Sequence, residues 1–314
     1  MISRTTPAIL VLLAAAGPTA AQTNGEAGAP VLQLTTVPRA AALGGALVAA
    51  EGLPGIFANP AAAATVERWA AHVAGQSLFE GGKAGTVAAG LRTRVAVVAL
   101  GIQYLDLGSV AEVVCDGCGG AGTPTGRTVS ASERAFSLAV AVRPRGPASV
   151  GIAVHHYGTT VADSTGNAVS VSAGARARAG SRLALGASVQ YLGGDVELAG
   201  FSAPLPRTVR LGAELRPVVA DGDGFALTLA AEYTGVRGSP GRVGGGVELG
   251  LVRLAAQFAG LLRLGAATTA GGDFATNALS VGAGLRYGQI TFDYAFQGSD
   301  LLAAQHRVGI TIAP

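Results

Sequence analysis

From residue 70 onward, apolar and polar positions alternate with a period of two. In 182–192, Leu183, Leu185, Ala187, Val189 and Tyr191 fall on one face, and Ala184, Gly186, Ser188 and Gln190 on the other. Residues 208–216 place Val209, Leu211, Ala213 and Leu215 opposite Thr208, Arg210, Gly212, Glu214 and Arg216. Segments 225–234, 279–287 and 289–297 repeat the pattern, the last with Ile290, Phe292, Tyr294 and Phe296 opposite Thr291, Asp293 and Gln297. Such alternation predicts strands with one fully apolar face. Further strands are predicted over 70–79, 86–92, 95–105, 134–143, 149–158, 168–178, 242–249 and 306–312. Residues 252–266 keep one apolar parity throughout, which fits one long strand or two joined at Ala259-Gly260. Counting gives fourteen or fifteen strands. Residues 106–132 read as the longest loop.

Before the strands lies a different kind of sequence. Residues 38–61 are apolar, yet broken at Gly44-Gly45, Pro54-Gly55 and Asn59-Pro60-Ala61. That composition suits short helical turns joined by bends. The residue before a proline is pushed out of the helical region, so Asn59-Pro60 should hold a fixed bend. Residues 1–21 carry a positive Arg4, a short apolar run and a Thr19-Ala20-Ala21 cleavage site, the pattern of a secretory signal peptide. The run is shorter than the ~20 residues a spanning helix needs. The expected division is therefore signal peptide 1–21, leader and plug segment 22–68 with Arg39, Gly44, Gly45, Asn59, Pro60 and Ala61 as its plugging or gating residues, and barrel 69–314.

Composition decides what the strands are for. Of 314 residues, 49% are hydrophobic and 13% charged, and no later stretch could form a spanning helix. A soluble β-sandwich is one way to use such strands. An exported, hydrophobic chain with strands of roughly ten residues fits better as a closed transmembrane antiparallel β-barrel, lipid outside and water or plug inside. On that basis Leu211→Arg should be costly and the inward Gly212→Ser nearly silent. Trp69, the only tryptophan, suits either the membrane interface or packing against the plug. Net charge is +3 with arginines dispersed along the strands, so no nucleic-acid surface is expected.

The inward face carries Arg176, Arg178, Arg210, Glu214, Arg216, Glu232, Arg286, Asp293 and Arg307. Two readings stand: a network of ion pairs bracing the lumen, or a positive lining for anionic groups such as a fatty-acid carboxylate. Cys115 and Cys118, the only cysteines, are expected to form a local disulfide in an exported protein; reduced thiols, or a redox or metal role, are the alternatives. His155 and His156 are adjacent, so on a strand they face opposite sides. Gly44-Gly45 and Gly244-Gly245-Gly246 lack the setting of a phosphate loop. No catalytic constellation, metal site or cofactor motif is visible, and no enzymatic activity is expected.

Both ends of the chain resemble one family. Arg39-Ala40-Ala41-Ala42-Leu43-Gly44-Gly45-Ala46 followed by Asn59-Pro60-Ala61 resembles the N-terminal signature of PorV/PorQ-like outer-membrane proteins, relatives of the FadL-type long-chain fatty-acid transporters. Leu43 stands for the family's Met, Glu51-Gly52 for its acidic pair, and Ala62 for its final Gly. Ile290-Thr291-Phe292-Asp293-Tyr294-Ala295-Phe296, then His306-Arg307-Val308-Gly309-Ile310, is similar to its closing hairpin, although the chain ends Ile312-Ala313-Pro314 rather than on an aromatic. The resemblance implies fourteen strands, a bacterial outer-membrane location and the lipid bilayer as partner. It implies passive transport of hydrophobic or amphipathic small molecules or contact with lipopolysaccharide. Alternatively it implies a scaffold or cargo shuttle for proteins of a type IX secretion system.

Overall fold

The computed structural model describes residues 28–78, 81–114, 122–144, 146–219, 223–253, 256–269, 279–298 and 304–314. The expected signal peptide, the first part of the leader and the Cys115–Cys118 pair lie outside the described residues. The alternating segments form β1 (Trp69–Ser77), β2 (Lys83–Arg92), β3 (Val97–Val114), β4 (Thr123–Val142), β5 (Ala148–Val161), β6 (Ser164–Ala179) and β7 (Leu183–Gly193). A separate two-stranded hairpin follows, β8 (Asp195–Leu198) and β9 (Phe201–Pro204). The series resumes with β10 (Thr208–Val218), β11 (Gly224–Val236), β12 (Arg242–Arg253), β13 (Phe258–Thr269), β14 (Leu279–Tyr287), β15 (Ile290–Gln297) and β16 (Gln305–Ile312). Each strand pairs antiparallel with its neighbours. β7 pairs with β10, and β1 meets β16 in a register running from Ala71 opposite Ile312 to Gln76 opposite Arg307. The result is a closed fourteen-stranded barrel, which leaves no sheet edge unpaired in the bilayer.

The polarity is inverted relative to a water-soluble protein. Val73, Leu100, Ile102, Phe136, Ile152, Leu185, Leu211, Leu262, Val281, Phe292 and Val308 are exposed on the outer wall. Gln76, Gln103, His155, Arg176, Gln190, Glu214, Glu232, Arg263 and Arg307 are buried inside. Trp69 is exposed at the first residue of β1, at the end of the wall, the position expected of an interfacial ring.

The structure corrects four expectations. Most of 106–132 is not a loop, because β3 and β4 continue pairing to Val114 and Thr123. Two register shifts, between Asp106 and Ser109 and between Ala111 and Val113, break the alternation by which a strand is read. At the first, Gly108 takes a φ of 79° and donates its amide to Asp106 Oδ1 at 2.8 Å. The run 252–266 is two strands parted between Arg253 and Phe258, not at Ala259-Gly260. Val252, next to last in β12, faces the lumen and Phe258 opens β13 facing outward, so the turn carries one parity from the inner face to the outer. Tyr191 does not face lipid. Its φ of 57°, at a register shift between β6 and β7, turns it inward beside Gln190, edge-on to His155 at 5.1 Å. The fourth, Gly212, bears on the lumen.

The luminal segment and the charges that hold it

Residues 28–66 line the inside of the wall and follow it around. Val31 donates its amide to Glu133 Oε2 at 2.8 Å, and its carbonyl accepts from Gln103 Nε2 at 3.2 Å. A five-residue helix α1 (Pro38–Ala42) packs against β13 to β16. The 3-10 turn Leu53–Phe57 packs against β1 to β3, and the 3-10 turn Pro60–Thr65 against β3 to β6. Leu53, Ile56, Ala63, Ala64 and Val66 form an apolar core with the inward Ala88, Val97, Ala99, Ala139 and Ala153. The hydrophobic core thus lies between segment and wall.

Inward glycines allow the close approach. A Cβ built on Gly244 would lie 2.0 Å from the Gly44 carbonyl oxygen, and one on Gly265 would lie 2.4 Å from the Gly44 nitrogen. On Gly186 it would meet the Val48 carbonyl oxygen at 2.2 Å, and on Gly174 the Asn59 Oδ1 at 2.0 Å. Gly151 and Gly174 stand directly opposite each other in the ladder, as do Gly186 and Gly212, and Gly246 and Gly265. Gly244-Gly245-Gly246 is therefore a track against which backbone 42–45 lies. Gly44 itself, at φ 66°, makes the bend that enters it. Gly212→Ser is not silent either: its Cβ would lie 2.6 Å from the Ala231 carbonyl oxygen and 2.7 Å from Val48 Cγ1.

Polar groups fix the segment at defined points. Asn59, fully buried, caps the turn Pro60–Thr65 by accepting from the Ala61 amide at 3.0 Å. Pro60 occupies the first helical position, where no donor is lost. The Asn59 amide nitrogen donates to the Val48 carbonyl at 2.8 Å and the Ala175 carbonyl of β6 at 3.0 Å, so both of its donors are used. Glu232 Oε2 accepts from the Leu47 and Val48 amides at 2.6 and 2.7 Å, while its other oxygen takes Arg210 at 2.7 Å. Arg92 donates to the Val66 and Ala64 carbonyls at 2.7 and 2.6 Å where the segment leaves the lumen.

The charges form two clusters, joined where Arg216 lies 3.7 Å from Glu214. One is a chain Glu214–Arg39–Glu248–Arg263–Asp293. Arg39 lies 2.8 Å from Glu214 and 3.1 Å from Glu248, and Arg263 lies 2.6 Å from both Glu248 and Asp293. Burial alone would lower the pKa of Arg39, but the two carboxylates outweigh it and the net shift is upward, so the guanidinium stays charged. The second gathers Arg176 (2.8 Å), Arg216 (3.2 Å) and Arg178 (3.7 Å) around Glu51. Burial raises the pKa of Glu51, yet Arg216 and Arg176 more than reverse this and hold it below the usual carboxylate range.

Of the inward residues read from the sequence, Arg176, Arg178, Arg210, Glu214, Arg216, Glu232 and Asp293 belong to these pairs. Arg307 is buried but makes no ion pair among the described residues, and Arg286 is exposed near the end of β14. Arg263, Glu248 and Glu51 were not singled out. Arg263 and Glu248 are ladder partners, a signal that becomes readable only once the β12–β13 turn is placed. His155 faces inward between Ser137 and Ser172, 2.7 Å from each hydroxyl, while His156 faces outward. Among the described residues no cluster of three or more His, Cys, Asp or Glu could hold a metal ion.

A closed antiparallel wall, apolar outside and polar inside, defines a bacterial outer-membrane β-barrel. No family model matches the chain, and no curated protein sequence matches it. Among solved structures it is similar to the Ralstonia pickettii toluene transporter TbuX, at TM-score 0.55 and 13% identity, covering 88% of this chain and 96% of that one. It is also similar to the Pseudomonas putida toluene transporter TodX, at TM-score 0.57 and 8% identity over 92% and 98%. A Pseudomonas aeruginosa FadL homologue gives TM-score 0.52 and 11% identity over 94% and 99%. At these identities the likeness is one of fold: the chain shares the closed outer-membrane barrel architecture of these proteins.

Proposed function

We propose that the protein is a passive route across the outer membrane for hydrophobic or amphipathic small molecules, closed at rest by the segment 28–66. The observation that carries this is the arrangement of that segment. It follows the inner wall and is pinned by side chains rather than by strand pairing, so it can leave without unzipping a ladder. The fold shared with TbuX and TodX, both toluene transporters, supports the same reading. Arg39, Gly44, Gly45, Asn59, Pro60 and Ala61 would act as the latch. The bilayer is the partner, and Gln22 would begin the exported chain. The reading needs no catalytic group or cofactor.

A second reading has its own observation. Two cavities beside the segment measure about 160 and 20 Å³, and a lumen packed that closely along the segment is what a scaffold or cargo shuttle of the PorV type would have. Uptake of a labelled long-chain fatty acid or toluene into proteoliposomes separates the two. Removing Asn59's side chain strips partners from the Val48 and Ala175 carbonyls and the Ala61 amide. At roughly 0.5–1.5 kcal/mol for each of these lost hydrogen bonds the cost is ~1.5–4.5 kcal/mol, and the bond to Ala175 of β6 is the one that ties the segment to the wall. Asn59→Ala with Pro60→Ala, and a deletion of 38–61, should therefore change flux at equal insertion. Identical flux in all three proteins would remove the gating role and leave the segment as structural filling.

A further inference from the structure

Arg242 and Arg307 project into one internal cavity of about 160 Å³, lined also by Gln33, Leu34, Thr35, Ala41, Gly45 and Gln297. Arg242 opens β12, Arg307 is the third residue of β16, and Gln297 closes β15, so the three gather at one end of the barrel. Arg307 is 4% exposed. Its Nε donates to the Thr35 carbonyl at 2.9 Å and its Nη2 to Gln305, but Nη1 is buried with no hydrogen-bond partner. Elsewhere in the lumen Arg39, Arg176, Arg210, Arg216 and Arg263 each have a carboxylate within 4 Å; among the described residues neither Arg242 nor Arg307 does.

A buried cation left without a counter-charge is strongly unfavourable. Arg242, partly buried on the same cavity, compounds the cost, because like charges repel. The wall supplies two planar forks and an amide side chain, the donors that hold a carboxylate through paired hydrogen bonds. Apolar contact comes from Leu34 and Ala41, with Leu47 and Phe57 lining the smaller slot adjoining. We propose that this cavity is a binding site for a small carboxylate of about benzoate size, held between Arg242 and Arg307. The site does not depend on the transport reading, because a channel and a scaffold could both hold such an anion.

Binding is read on the folded, detergent-purified barrel, with benzoate and inorganic phosphate as separate probes in a chloride background. Calorimetry should find saturable benzoate binding at one per barrel, with a raised unfolding temperature. R242Q should weaken it at least tenfold while the barrel keeps its heat-modifiable mobility. R242E places a carboxylate beside Arg307 from within, and should abolish benzoate binding while unfolding no earlier than wild type does without ligand. Absence of saturable benzoate binding to the wild type would overturn the proposal, as would affinity unchanged in R242Q. Binding of phosphate but not benzoate would overturn the carboxylate assignment. Flux measurements play no part, so the outcome is separate from that of the gating test.

Discussion

If the luminal segment is held by close backbone approach, adding a single methyl group on the wall should release it. Gly244→Ala and Gly265→Ala place Cβ atoms 2.0 and 2.4 Å from Gly44 backbone atoms. Both contacts are more than about 1 Å inside van der Waals distance, and both oppose backbone to backbone, so no side chain can swing aside. The wall strands are held on both edges, β12 by β11 and β13 and β13 by β12 and β14. The segment is the softer partner and must move. Overpacking of this kind costs ~1–3 kcal/mol, which at about 1.4 kcal/mol per decade multiplies the displaced population roughly 5- to 150-fold. Moving residue 44 by an ångström also disturbs Arg39 and the Glu232 contacts at Leu47 and Val48. Trypsin cleavage after Arg39, identified by mass spectrometry, reports that population when reclosing outruns cutting. Each variant should be cut faster by that factor with the barrel still heat-modifiable. Gly194→Ala, with nothing within 4 Å of its Cβ, should match the wild type. Cleavage after Arg39 at the wild-type rate in both track variants would refute the idea that backbone 42–45 rests against Gly244 and Gly265.

The outer wall gives a second expectation: Leu211→Arg sets a cation against hydrocarbon at a cost of ~2–4 kcal/mol near the midplane, and folding yield into lipid vesicles should fall, whereas equal yield would mean the outward face is misassigned. Glu51 gives a pH dependence. Its folded pKa is lowered, so its contribution is present above the ordinary carboxylate pKa and lost as pH falls through the lower folded value. An acid protease cutting within 38–61 should therefore reach the segment more readily at acid pH, and Glu51→Gln, cut by trypsin at neutral pH, should already show that release. Equal protection of Glu51→Gln and wild type at pH 7 would show that the Arg176 and Arg216 pairs do not hold the segment.

The sequence by itself determined the class of fold. Alternation is a local property, written residue by residue in stretches such as 279–287 and 182–192, and the barrel wall is little more than that alternation closed on itself. Hence the strands were legible to a count of fourteen or fifteen, as was the outward set Leu185, Leu211, Val281 and Phe292. What alternation could not carry was anything that shifts its phase: the bulges after Asp106, the left-handed backbone at Tyr191, and the turn between Arg253 and Phe258. The ion pairs were beyond it for a different reason. Inward parity marks Glu214 and Arg210 as luminal, but which carboxylate meets which guanidinium depends on ladder register and on a segment more than 120 residues away in the chain. Arg39 meets Glu214 and Glu248, and Glu51 meets Arg176 and Arg216, only after the barrel has closed around them. The glycines show the division plainly. Their number, 48, is in the composition, yet the purpose of inward ones such as Gly151, Gly186, Gly244 and Gly265 is decided by what lies within 3 Å of a missing Cβ, and that neighbour, the backbone of 42–61, is brought there by tertiary structure alone.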